Sequence, residues 1–304
     1  MGGHFMFIDI HAHCYWKRVP FANNFQNPEE LIADFDKLGI EKGCLLPIVS
    51  SEIYFPQSNE DILDMAEKYP DRFIPCCNID PRAMTNSPFA PLDRPLQYYK
   101  ERGCKILGEV MPGLDLLDDR VQNLFCCAEK VGLPVIYEGA FTRDRAFGMY
   151  DDPGLPGLEI TLQRFPDLMI FGHGPVFWHE LAKLGTPGER GVCRPFLFRG
   201  GTWRLPEGPI EEEGVVPKLL RRYPNLMCDL SDLTPHNMFT RDEDFAIAFL
   251  NEFQDRCCFG TDFCGLNMPV DMVPLLLRWR ETGKLSESVF QKIARENAIR
   301  LLNL

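Results

Sequence analysis

Short apolar runs alternate with amphipathic stretches from one end of the chain to the other. Eight runs stand out: Phe5 to Ile10, Gly43 to Val49, Arg72 to Ile79, Cys104 to Val110, Pro134 to Tyr137, Leu168 to Phe171, Leu226 to Leu230 and Arg256 to Phe259. Between them, apolar residues spaced by three and four predict helices over Pro28 to Leu38, Asn59 to Tyr69, Arg120 to Val131, Leu155 to Phe165, Val216 to Tyr223 and Asp242 to Phe253. Phrases such as Lys37-Leu-Gly-Ile40 and Arg222-Tyr-Pro-Asn-Leu226 stop a helix at Gly or Pro and restart a strand at once. That rhythm is the mark of parallel βα units, and eight of them predict an α/β fold, a TIM (β/α)8 barrel. Residues 185–209, rich in Gly, Pro and Arg, are too long for an ordinary loop and read as an insertion after the sixth strand. Two helical segments, Val270 to Glu281 and Ser286 to Leu302, close the chain. With no linker in view, residues 1–304 are expected to form one domain.

Composition narrows the class. The 304 residues are 45% hydrophobic and 25% charged, and no apolar stretch approaches the roughly 20 residues that cross a bilayer. The opening Met1-Gly-Gly-His-Phe lacks a basic leader and a small-residue cleavage site, so a cytoplasmic location is expected. A formal charge of -12 argues against nucleic acid or an anionic membrane as partner. The expected partner is a small-molecule substrate, and the expected assembly a homo-oligomer. Twelve cysteines include several inside apolar runs and form no Cys-x-x-Cys, so they read as reduced, small hydrophobes.

The candidate chemistry sits where such a barrel keeps its active site, at the carboxyl ends of the strands. His11 and His13 close the first run; two apart on a strand, they leave on the same side and converge on one ion. Glu109 ends the fourth run, Glu138 the fifth, His173 the sixth and Asp262 the eighth. All six are metal-compatible donors. Each also has a plainer reading: histidines that bond nearby backbone, an aspartate that caps the following helix, glutamates that pair with arginines. Two histidines with carboxylates suit Zn, with Mn or Fe as the alternatives.

Four phrases, Ile8-Asp-Ile-His-Ala-His13, Gly172-His-Gly174, Phe259-Gly-Thr-Asp262 and Glu296-Asn-Ala-Ile-Arg-Leu-Leu302, together span nearly the whole chain. Through them the sequence resembles the metal-dependent amidohydrolase superfamily, in particular the amidohydrolase 2 branch that includes aminocarboxymuconate semialdehyde decarboxylase. The resemblance implies that His11, His13 and Asp262 ligate a divalent metal and that His173 is a ligand or an acid/base group. It departs at Glu138, where many relatives place a histidine. Glu109 is similar to the Gly-Glu phrase of the TatD-like deoxyribonuclease branch, where a glutamate contacts the metals, which leaves one ion or two open.

The expected activity is metal-dependent hydrolysis of a C–N or C–O bond in a small, polar, carboxylated molecule, with Asp262 or His173 moving the proton. A non-hydrolytic lyase, decarboxylase or hydratase, is the alternative, and a non-catalytic binding barrel the third reading. Arg143 and Arg145 after the fifth strand, and His179 after the sixth, are the candidate substrate contacts. Arg190, Arg194, Arg199, Trp203 and Arg204 fall in the insertion, which is expected to act as a lid or a subunit contact.

Overall fold

The protein was analysed as a computed structural model that describes residues 6–21, 24–51, 55, 57–141, 143, 148–186, 190 and 205–304. Its barrel strands are β1 (Phe7–Ala12), β2 (Ile40–Leu45), β3 (Phe73–Pro75), β4 (Leu107–Val110), β6 (Val135–Ala140), β8 (Ile170–His173), β9 (Leu226–Asp229) and β10 (Cys257–Cys258). Two short strands, β5 (Leu114–Asp115) and β7 (Met149–Tyr150), pair with each other above β6. All pairings between strands are parallel. The ladders form two sheets, β1-β2-β3 and a second carrying β4, β6, β8, β9 and β10. Isolated parallel bridges mark both seams, Cys77 with Leu107 and Ala12 with Phe263.

One apolar cluster draws a side chain from each of the eight barrel strands or the residues adjoining them: Ile8 and Ile10, Cys44, Ile74, Ile106, Ile136, Phe171, Met227 and Cys258. This is the filled interior of an α/β barrel. Ala298 and Leu302 of the last helix join it. A larger cluster lies between strands and helices, with Phe7, Phe35, Phe125, Leu162, Phe249 and Trp279 among its members. Strands covered on both faces must be apolar throughout, which is why they read as continuous runs.

The helices follow local rules. In α1 (Pro28–Leu38), Asn27 and Glu30 form a capping box, Pro28 opens the first turn, and Gly39 ends the helix in the left-handed region at φ 70°. The helices α2 (Asn59–Lys68), α4 (Asp119–Val131), α5 (Pro156–Arg164), α7 (Val215–Arg222), α9 (Glu243–Glu252) and α10 (Met272–Glu281) lie within a few residues of the expected bounds. Among the described residues, three helices were not expected: α3 (Asp93–Glu101), whose one buried side chain is Leu96, and α6 (Gly174–His179) and α8 (Leu233–Arg241) beside the site. The final expected helix is divided into α11 (Glu287–Gln291), a π-helical turn over Lys292–Glu296 and α12 (Asn297–Leu302). All eleven described cysteines are free thiols, nine of them buried. No described helix is long and apolar enough to cross a membrane.

Candidate metal centre

Strand alternation brings three site residues to the barrel axis. Glu138 lies two residues beyond interior Ile136, His173 two beyond Phe171, and Asp229 two beyond Met227. The other two strand donors arrive by breaking that alternation. The β1–β2 register shifts between Asp9 and Ala12, and the β4–β6 register between Leu107 and Val110. These irregularities turn His11 and Glu109 inward, a common use of bulges beside active sites. Asp262 comes from the turn after β10. That turn is fastened to β1: Thr261 donates its amide to Asp9 Oδ1 (3.0 Å) and its hydroxyl to Asp9 Oδ2 (2.6 Å), and the Asp262 amide donates to the His11 carbonyl (2.7 Å). Asp262 takes φ 53°, an uncommon conformation for a side-chain-bearing residue, which those bonds hold in place. Gly260 must be glycine, because a Cβ there would lie 2.8 Å from Asp229 Oδ1 and from Ser231 Cβ.

The donors converge. His11 Nε2 and His13 Nε2 are 3.2 Å apart. Glu109 Oε2 is 3.6 and 3.7 Å from them, and Asp262 Oδ1 is 3.4 and 3.3 Å. Ligands bound at 2.0–2.2 Å around a tetrahedral ion sit about 3.4 Å from one another, so these separations match one coordination sphere. On the other side, Glu109 Oε1 and Glu138 Oε2 are 3.5 and 3.7 Å from His173 Nε2.

The outward nitrogens are engaged, which fixes the inward ones. Asp229 Oδ2 accepts from His11 Nδ1 at 2.7 Å and lies 3.2 Å from His173 Nδ1. Ser231 Oγ is 3.0 Å from His173 Nδ1, and the Leu46 carbonyl accepts from His13 Nδ1 at 2.8 Å. A carbonyl or carboxylate accepts only from N–H, so each Nε2 is left to face the cluster. Asp229, Ser231, Asp9 and Thr261 are fully or almost fully buried and were not singled out from the sequence.

The electrostatics show what the cluster lacks. Neutral imidazoles would aim two lone pairs at each other across 3.2 Å, an arrangement that needs positive charge between them. Burial alone would lower the pKa of His11, but Asp229 and the neighbouring carboxylates hold it well above the ordinary value. His173 is likewise pushed up to about 10; burial and His11 oppose the shift, and Asp229 and Glu109 outweigh them. Burial drives Glu138 well above the usual carboxylate range, and Oε2 has no hydrogen-bond partner. Asp262 is held below its ordinary value against burial by His13, His11 and His173. Asp232, at the rim, is raised to about 6 by burial and by Asp262. Negative charge around the cluster thus raises the affinity of His11 and His173 for positive charge. A divalent cation is the group this donor set fits.

The candidate substrate contacts have partners of their own. Arg143 is exposed, bonded to Asp115 at 3.0 Å and stacked over Tyr150. Arg190 is buried, its guanidinium 2.5 Å from Glu180 and bonded to the Asp151 and Asp152 carbonyls, so it anchors its segment instead of reaching for a ligand. His179 is buried, donates Nδ1–H to the Arg190 carbonyl, and is depressed to about 4 by burial. Arg145, Arg194, Arg199, Trp203 and Arg204 lie outside the described residues. On the His13 side, Tyr15, Phe25, Ile48, Phe55 and Met111 form a separate apolar cluster, with the Phe25 ring 6.2 Å from that of His13.

Fold and donors together define an α/β-barrel protein with a metal-competent site at the carboxyl ends of its strands. The chain belongs to the amidohydrolase family, in its amidohydrolase 2 branch, whose family model matches residues 8–304. No curated protein matches the sequence. Solved structures share the fold at low identity. An uncharacterized TIM-barrel protein from Bordetella bronchiseptica is 19% identical, with 98% of each chain covered and a TM-score of 0.62. A probable 2-pyrone-4,6-dicarboxylic acid hydrolase from Acinetobacter baumannii, with citric acid bound, is 13% identical over 98% of this chain and 100% of that one, at 0.60. A 5-carboxyvanillate decarboxylase from Novosphingobium aromaticivorans, complexed with manganese and a nitrobenzoic acid, is 16% identical over 100% and 97%, at 0.59.

Proposed function

We propose that the protein is a divalent-metal-dependent hydrolase that cleaves a C–N or C–O bond in a small molecule. The observation that carries this is the convergence of His11 Nε2 and His13 Nε2, 3.2 Å apart, with Glu109 Oε2 and Asp262 Oδ1 each 3.3–3.7 Å from both. Zn or Mn suits that set. When bound, the ion would lower the pKa of a water molecule toward neutrality and polarise a substrate oxygen. The protein supplies the rest. Asp262 keeps 18% side-chain exposure where His11 and His13 keep 0% and 2%, so it is the donor that faces the mouth. Its pKa is lowered, so it stands as a carboxylate able to take a proton from water and return it to the leaving atom. His11 and His13, fixed through Nδ1, hold their Nε2 atoms in position. The buried apolar cluster of Tyr15, Phe25, Ile48, Phe55 and Met111 packs behind His13.

Replacing both His11 and His13 with Ala tests the reading. Elemental analysis of the purified variant is expected to show the metal lost. A screen of lactones, amides and carboxylated aromatics is expected to show turnover by the wild type alone. Full activity of the double variant would refute the proposal. Release of CO2 from an aromatic acid, with no hydrolysis of any lactone or amide, would replace it with the lyase reading, which the decarboxylases sharing this fold support.

A further inference from the structure

We infer that the protein pairs with a second copy of itself across a groove between α2 and α3, on the helical side of β3. The inference is independent of the metal site. The groove encloses about 660 Å³, and its floor is apolar, made by Leu63, Ala66, Phe73 and Pro75. Its two walls differ in sign. From α2, Glu60, Asp64 and Glu67, spaced by four and three, line one wall with carboxylates. Tyr98 of α3 and Arg102, which caps that helix, line the other, and Arg94 precedes them at the same spacing of four. The Arg102 guanidinium carbon lies 3.6 Å from the centre of the Tyr98 ring, so cation and aromatic form one unit, and Tyr98 is still 44% exposed.

The chain leaves these charges unused. Elsewhere on the same helices it pairs them, Lys68 with Glu29 and Asp93 with Lys130. Among the described residues, Asp64, Glu67, Arg94 and Arg102 join no ion pair, and Glu60 accepts only from the Tyr99 hydroxyl, at 2.7 Å. A face with one acidic wall and one basic, aromatic wall is its own complement. A two-fold axis running along the groove sets the α2 carboxylates of each copy against Arg94 and Arg102 of the other, so every contact is made twice. A cationic ligand would satisfy the carboxylates and leave both arginines unmet; an anionic one would do the reverse. A second copy meets both walls at once and covers the apolar floor between them. Tyr and Arg, the residues that anchor such surfaces, stand at its centre.

The test is equilibrium sedimentation of the full-length wild type and of charge variants over a dilution series, with circular dichroism as the check on folding. The wild type is expected to form a dimer that loosens as salt is raised. R102E sets carboxylate against carboxylate and D64R/E67R sets cation against cation, so each alone is expected to weaken self-association by at least about tenfold. Because the contact is reciprocal, mixing the two variants in equal amounts is expected to restore a dimer containing one of each. A wild type that stays monomeric at every concentration overturns the inference and leaves the groove to a different partner. R102E that dimerises as tightly as wild type, or a mixture of folded variants that stays monomeric, overturns it as well. Were D64R/E67R to fail to fold, R102E alone would decide.

Discussion

Replacing Asp229 with Asn probes the layer behind the ligands. Asp229 is fully buried, holds His11 Nδ1 at 2.7 Å and His173 Nδ1 at 3.2 Å through Oδ2, and accepts the Ser231 amide through Oδ1 at 3.0 Å. Its pKa is depressed because the two imidazoles outweigh burial, so it acts as a carboxylate accepting on both oxygens. Asn has the same shape and one acceptor. With its carbonyl toward Ser231, the NH2 meets His11 Nδ1, drives that ring to the Nε2–H tautomer, and blocks its lone pair. With the carbonyl toward the imidazoles, the NH2 opposes the Ser231 amide, and a buried donor is left unpaired at about 1–3 kcal/mol. Partners of this kind are worth about 10–100-fold in metal affinity, or roughly 1.4–2.7 kcal/mol. The assay is competition against a chromophoric chelator at pH 7, with urea unfolding as the check on folding. Ser231→Ala is the control: it removes a hydroxyl 3.0 Å from His173 but leaves Asp229 in place, so a loss of no more than a few-fold is expected. A folded D229N that binds metal within about twofold of wild type would refute the argument that this carboxylate sets the tautomers.

Two further outcomes concern the frame around the site. Arg190→Met removes one half of a buried ion pair with Glu180 and is expected to cost about 3–5 kcal/mol in urea unfolding, while a change under about 1 kcal/mol would refute the anchoring role. His179 is depressed to about 4 in the folded protein, below its unfolded value of about 6.5, so below pH 6.5 the unfolded chain binds a proton that the folded one refuses. Metal-free wild type should therefore lose about 2 kcal/mol of stability between pH 7 and pH 5 through this residue. His179→Asn, whose Nδ2–H can still donate to the Arg190 carbonyl, should lose correspondingly less over that interval. Identical pH slopes in the two proteins would count against the assignment.

What was legible in the sequence and what was not divide along a physical line. The barrel was legible because strands buried on both faces must be continuously apolar, and Ile8, Ile136, Phe171 and Met227 satisfy that rule residue by residue. Helix α3 was not, because Asp93–Glu101 buries only Leu96 and carries too few apolar residues to declare a core-facing stripe. The donors were visible because chemistry at strand ends restricts residue type. Glu109 and His11 would be misplaced by strict alternation, and the register shifts that turn them inward follow from pairing with β6 and β2.

Asp229 and Asp9 went unread for a different reason. Each is a charge inside an apolar run, and a run averages its members. The signal was there: a carboxylate two residues past interior Met227 is too costly to bury unpaired, so something must meet it. What meets Asp229 is His11, 218 positions away in the chain, and what meets Asp9 is Thr261, 252 away. Ligands declare themselves locally because their chemistry is their own; the groups that orient them have a role only once the first strand closes against the last two. A buried charge in a parallel strand is therefore best read as half of a pair whose other half lies across the barrel. By that reading, Glu138 is half of a pair with His173 of the neighbouring strand, whose Nε2 stands 3.7 Å from its Oε2.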